Sequence, residues 1–113
     1  MIMKEITAII RPGKWSATAK ALKDAGVTAM TRHRAMGRGK QKGLQAADGK
    51  ISVRLLPKWW LMFVVKEAQV EAALAAIQLA NRSGEIGDGK IFVSPVAETF
   101  RIRTEEVGYP ALY

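Results

Sequence analysis

No cysteine occurs among the 113 residues, which excludes disulfides, thiolate nucleophiles and cysteine metal sites and fits a reducing cytoplasm. Histidine is almost as scarce, and the lone His33 argues against a histidine metal centre or a catalytic triad. No apolar run approaches the roughly 18 residues of a membrane span. The first residues, with Lys4 and Glu5 ahead of a short apolar run, do not read as a secretory signal. Acidic side chains are missing between Asp24 and Asp48, the interval that holds Arg32, Arg34, Arg38, Lys40 and Lys42. With a net charge of +8, this basic stretch suits nucleic acid, nucleotides or an acidic protein surface, or is simply a solvated loop. No nucleophile–base pair or metal-ligand cluster is visible, so an enzyme is not expected.

What is present fits one domain over residues 1–113, 49% apolar and too hydrophobic for disorder. Residues 4–10 alternate and are β-branched, predicting a strand closed by Arg11-Pro12-Gly13. Trp15, Thr18/Ala19, Leu22 and Ala25 recur at helical spacing, with Gly26 as a C-cap. A second strand is predicted from Val27 to Met36. Glycines at 37, 39, 43 and 49 among lysines predict a long loop over about 37–55. A third strand follows to Val65, apolar on consecutive positions, which predicts burial on both faces. Val70, Ala73/Leu74 and Ile77 mark a second helix from Glu67 to Asn81, and Ile91-Phe92-Val93 a fourth strand. The order β-α-β-β-α-β is the ferredoxin-like arrangement, an α+β fold. One sheet face is left without a cover in a chain this small, which points to oligomerisation.

Ser83-Gly-Glu-Ile-Gly-Asp-Gly-Lys90, followed by Arg101-Ile-Arg-Thr104, is the most informative stretch. Gly84, Gly87 and Gly89 can take left-handed turns and present bare N–H groups to an anion, with Lys90 adding charge. Arg101 and Arg103 are two apart, so in an extended segment both face the same way and can clamp one polyanion. A glycine-rich turn with one lysine is also what an ordinary surface turn looks like.

The order of residues from Ser83 to Val93, with Arg101-Ile-Arg-Thr104 after it, is similar to the C-terminal signature of the PII signal-transduction proteins. The resemblance runs through the chain. Met3 to Pro12 looks like the family's opening strand, Gly37-Arg-Gly-Lys-Gln-Lys-Gly43 the entrance to its long T-loop, and Leu56-Pro-Lys58 the exit. Gly37–Gly43 and Ile91–Val96 lean toward the nitrogenase-associated branch. The resemblance implies three subunits around a three-fold axis, as a homotrimer or mixed with a sibling subunit. It implies ATP or ADP between subunits, at Gly37, Arg38, Gly39, Gly87, Asp88, Gly89 and Lys90 on one side and Arg101 and Arg103 of the next subunit on the other. Ile9, Thr31 and Val64 stand where the family meets adenine. Gln41 matches a ligand of Mg²⁺ and 2-oxoglutarate, and Lys42 and Lys58 stand at the 2-oxoglutarate site. The phosphate loop would span about 82–90 and a C-terminal segment 97–113.

The implied function is control of nitrogen metabolism through a T-loop that touches a target such as nitrogenase, glutamine synthetase or an ammonium transporter. The membrane would then be met only through the transporter, and nucleic acid not at all. Each residue has a plainer reading: Ile9 and Val64 as core, Gln41 and Lys58 as loop, Asp88 as a brace for its own turn. The chain departs from the family pattern at Glu105, which interrupts the usual Thr-Gly-Glu, and in having no tyrosine in the loop. Tyr109 and Tyr113 stand near the end. The competing function is RNA binding, since RNA-recognition motifs share the element order, but Gly89–Val93 supplies only one aromatic for stacking.

Overall fold

A computed structural model of the chain describes residues 2–38 and 55–112. Its elements are β1 (Met3–Ile10), α1 (Trp15–Asp24), β2 (Thr31–Gly37), β3 (Leu56–Lys66), α2 (Glu67–Asn81) and β4 (Lys90–Val96). Short 3-10 turns cover Pro12–Lys14 and Tyr109–Leu112. The strands form one antiparallel sheet in the order β2-β3-β1-β4, the expected ferredoxin-like arrangement.

Alternation decides which side is buried. Ile6, Ala8 and Ile10 of β1 lie opposite Phe63, Leu61 and Trp59 of β3. Most of these join Leu22, Val27, Val65, Ala73 and Ile77 in one core between the sheet and the helices. Burying a side chain such as Leu22 or Ile77 contributes about 1.5–3 kcal/mol. Asn81 pins the helices together, its Nδ2 donating to the Thr18 hydroxyl and the Ile77 carbonyl, both at 2.9 Å. The opposite face carries Glu5, Thr7, Ile9, Trp60, Met62 and Val64, and among the described residues no helix packs over it.

One boundary and one burial pattern differ from the sequence expectation. β2 begins at Thr31, not Val27, because Val27 is used to end α1. Its N–H bonds Leu22 O at 2.8 Å while the Gly26 N–H bonds Lys23 O at 3.0 Å, with Gly26 at φ 89°. These are the paired bonds of a Schellman cap, and Val27 completes it by entering the core at 4% exposure. β3 is apolar at every position from Trp59 to Val65, yet only Leu61, Phe63 and Val65 among them are buried within one chain. Trp60, Met62 and Val64 are half-buried on the open face.

Candidate functional site

The segment from Arg82 to Gly89 joins α2 to β4 and is shaped by glycine. Gly84, Gly87 and Gly89 all have positive φ, at 85°, 103° and 112°. At Gly89 a Cβ would stand 2.0 Å from the Ile9 carbonyl oxygen, so the loop lies flat against β1 only because that side chain is missing.

Asp88 organises the turn from within. Its carboxylate accepts bonds from the Ser83 hydroxyl, the Ser83 N–H at 2.7 Å and the Gly84 N–H at 3.0 Å. The Ser83 bonds first, then the Gly84 N–H and the nearby Arg11 charge, hold its carboxyl below the ordinary value of 3.8. Arg11 clamps the same loop from β1, donating from Nε to Gly87 O at 3.0 Å and from Nη2 to Ile86 O at 2.7 Å. The only sequence signal for Arg11 is its place at the end of a strand before Pro-Gly, which reads as a turn, so its clamping role goes unforeseen.

Around this loop the sheet gathers one set of the expected residues. Lys90 opens β4 opposite Ile9, and Ile9 lies opposite Trp60 on the open face. Gly37 stands at the end of β2 with Lys58 beside it: a Cβ on Gly37 would be 3.7 Å from Lys58 Cγ. Lys58 is buried, and that burial, then repulsion from Arg11, pushes its ammonium below its ordinary value. A carboxylate placed there would relieve both effects. Arg38 follows, exposed. Gly39, Gln41 and Lys42 fall outside the described residues, as does most of the 37–55 loop. A cleft of about 280 Å³ opens behind the glycine loop, its lining including Ile10, Ile77, Asn81, Asp88, Gly89 and Lys90; it does not include Ile9, Gly37 or Lys58.

Thr31 and Val64 lie two and four positions along the sheet from the rung of Ile9. Thr31 pairs with Met62, and Val64 lies opposite Glu5. The C-terminal segment packs at the far end of the sheet: the Thr99 hydroxyl reaches Met3 Sδ at 3.5 Å, and Lys66 Nζ lies 3.9 Å from the centre of the Tyr109 ring. From Met3 to Ile9 along β1 is about 20 Å at the usual rise per residue. Within one chain, then, Arg101 and Arg103 belong to a different end from Gly87–Lys90.

Arg101 and Arg103 are not in the extended segment expected. The Glu105 N–H bonds Arg101 O at 2.8 Å, and Arg101 N–H bonds Glu106 O at 2.8 Å, so the stretch is a closed turn. Its sharpest point is Glu105, at φ 60°. Arg101 Nη1 pairs with Glu106 Oε1 at 3.0 Å and Nη2 donates to Pro110 O at 2.9 Å. Arg103 is exposed. Among the described residues no three His, Cys, Asp or Glu side chains converge as a metal site, and no helix is long and apolar enough to cross a membrane.

The family model described as Nitrogen regulatory protein P-II matches residues 3–106. A Nitrogen fixation nifHD region GlnB-like protein 1 of Methanothermobacter marburgensis is 44% identical over 106 residues, 94% of this chain and 99% of that protein. A Nitrogen regulatory protein P-II of Azospirillum brasilense is 44% identical over 112 residues, 97% of this chain and all of its own length. Among solved structures, Arabidopsis thaliana PII bound to citrate superposes with a TM-score of 0.81 at 34% identity, covering 97% of this chain and 92% of that one.

Proposed function

The chain belongs to the nitrogen regulatory protein P-II family, and from that premise we propose that it reads ATP against ADP, together with Mg²⁺ and 2-oxoglutarate, and controls a target protein through its 37–55 loop. The observation that carries this reading is the division of the anion-binding groups between two ends of one sheet. Gly37, Lys58, Ile9 and the 83–90 loop form one half, and Arg101 and Arg103 the other, about 20 Å along the sheet, with Thr31 and Val64 on the strands between. Neither half closes on a ligand alone, whereas two copies meeting end to end would complete a site. In a homotrimer, or a mixed trimer with a sibling subunit, such a site recurs at each interface.

The residues present fit a polyphosphate. Gly87 and Gly89, both at positive φ, carry no side chain to shield their backbone from an anion, while the Gly84 N–H is taken by Asp88, and Lys90 and Arg103 are exposed cations. Asp88 is committed to Ser83 and Gly84, so it braces the cradle rather than entering it. Arg101, steadied by Glu106 and Pro110 O, keeps further N–H donors for an oxyanion. Mg²⁺, for which Gln41 would be the protein ligand, would neutralise phosphate charge when bound. Lys58, with its ammonium depressed by burial, suits the keto acid's carboxylate. Ligand-dependent ordering of the loop is then the output, a switch biased by which ligands close the site. The site would hold phosphates for reading, its described residues offering no nucleophile beside a base for cleaving them. A target such as nitrogenase, glutamine synthetase or an ammonium transporter and a cytoplasmic location complete the reading. Base stacking by RNA is disfavoured because Trp60 is stacked on His33, centroids 4.4 Å apart.

Isothermal titration decides it. Saturable binding of Mg-ATP, lost in Lys90→Ala and in Arg101→Ala alike, is the expected result. No heat at millimolar Mg-ATP would rule the reading out.

A further inference from the structure

On the helix side of β2 one arginine is held between two tryptophans. The Arg32 guanidinium carbon lies 4.3 Å from the centre of the Trp15 ring and 4.1 Å from that of Trp59. Arg34 lies 5.6 Å from Trp59. The Trp59 ring is fixed in turn, its indole N–H donating to Pro12 O at 3.2 Å, and both tryptophans pack against the core. Arg32 and Arg34 are nevertheless exposed.

We propose that this pair is a docking surface for an acidic segment of a partner protein. Other arginines show what a structural role looks like in this chain: Arg11 and Arg101 each face a carboxylate of their own chain, Asp88 and Glu106. Among the described residues neither Arg32 nor Arg34 has such a partner, and the nearest preceding acid, Asp24, faces Lys20. Between Asp24 and the end of β2 the sequence supplies no acid at all. A guanidinium immobilised between two rings has already lost its rotamer freedom, so an incoming carboxylate meets a prepared fork. Arg32 and Arg34 alternate with His33, so they repeat about 7 Å apart along the strand. That spacing suits successive same-side carboxylates of an extended segment, or a pair one turn apart on a helix. Nucleic acid is the weaker match, because base stacking needs free aromatic faces and both rings are engaged by the core and by Arg32. The surface also lies on β2, the strand that precedes the 37–55 loop in sequence.

The inference rests on the chain being a regulator with a protein target, and Mg-ATP titration of the same samples separates the two claims. A probe peptide of alternating glutamate and serine is titrated into the full chain at about 0.15 M salt, where exposed charges are screened beyond about 8 Å. Tryptophan emission and titration heat report binding. Saturable binding is expected, at least tenfold weaker for Arg32→Lys, which keeps the charge but loses the planar stacked fork. Arg34→Gln should weaken binding as well; melting temperatures show that both variants are folded. Equal affinity for wild type and Arg32→Lys would overturn the proposal, since the peptide would then sense only net charge. So would the absence of saturation, or tighter binding of oligouridine than of the peptide. If Mg-ATP fails to bind while the peptide behaves as expected, the regulator reading falls and the docking surface stands.

Discussion

At position 89 a side chain would meet the Ile9 carbonyl oxygen at 2.0 Å, and at position 105 a side chain is present where the backbone disfavours one. Glu105 sits at φ 60°, a conformation that costs a non-glycine residue about 1–2 kcal/mol. The bonds on either side hold it there: Glu105 N–H to Arg101 O and Arg101 N–H to Glu106 O, each at 2.8 Å. Glu105→Gly should therefore raise stability by about 1 kcal/mol at fixed protein concentration, read as a higher midpoint in urea unfolding. A lower midpoint would show that the glutamate side chain contributes more than its backbone costs. The family's usual Thr-Gly-Glu made this residue visible in the sequence as a departure. Its consequence was not visible: the turn keeps its left-handed corner and carries strain there.

Whole elements differ in how readable they are, for reasons of range. α2 was legible to the residue, since Val70, Ala73 and Ile77 mark its buried stripe and Ala73 and Ile77 are the core residues. The start of β2 was not, because Val27 is apolar and β-branched in either role, and only the cap bonds reveal which. Likewise the three glycines announced the 83–90 loop, but Arg11, 75 and 76 positions away from the carbonyls it grips, could not be tied to it by spacing. This loop should also be acid-sensitive. Asp88 is held below its ordinary carboxyl value chiefly by Ser83, so the folded loop favours the ionised form. Its contribution is complete above about pH 4, near the unfolded value. It is lost as the pH falls through the depressed folded value. Amide exchange of Ser83 and Gly84 should thus speed up below about pH 4 beyond its intrinsic trend. In Asp88→Asn the two amides should already exchange fast at neutral pH, with no further step on acidification. An unchanged wild-type profile from neutral pH to pH 2 would show that the carboxylate does not hold the turn.

For the whole molecule, the separation of the two proposed half-sites and the sheet face left open by the described residues point the same way. Phe92, 53% exposed, belongs to that face, and Ile102, 98% exposed, stands between Arg101 and Arg103. Apolar groups so placed, next to the charges that would hold a phosphate, suit an interface whose formation also completes the site. If each site takes its loop from one subunit and its arginines from the next, two defective chains should repair each other. Lys90→Ala destroys the loop half and leaves the arginines; Arg101→Ala does the reverse. Neither alone should bind Mg-ATP. Unfolded together in equal amounts and refolded, they should assemble with about one interface in four pairing an intact loop with an intact arginine, the statistical share for a heterologous ring. Titration of that mixture should recover roughly a quarter of the wild-type stoichiometry at wild-type affinity. Mixing without unfolding should recover less where subunit exchange is slow, which separates repair within an assembly from ligand transfer between assemblies. No recovery after joint refolding, with each variant folded and assembled, would place the loop and Arg101 in the same subunit's site. The 20 Å that part them along the sheet would then have to be closed by a rearrangement of the C-terminal segment.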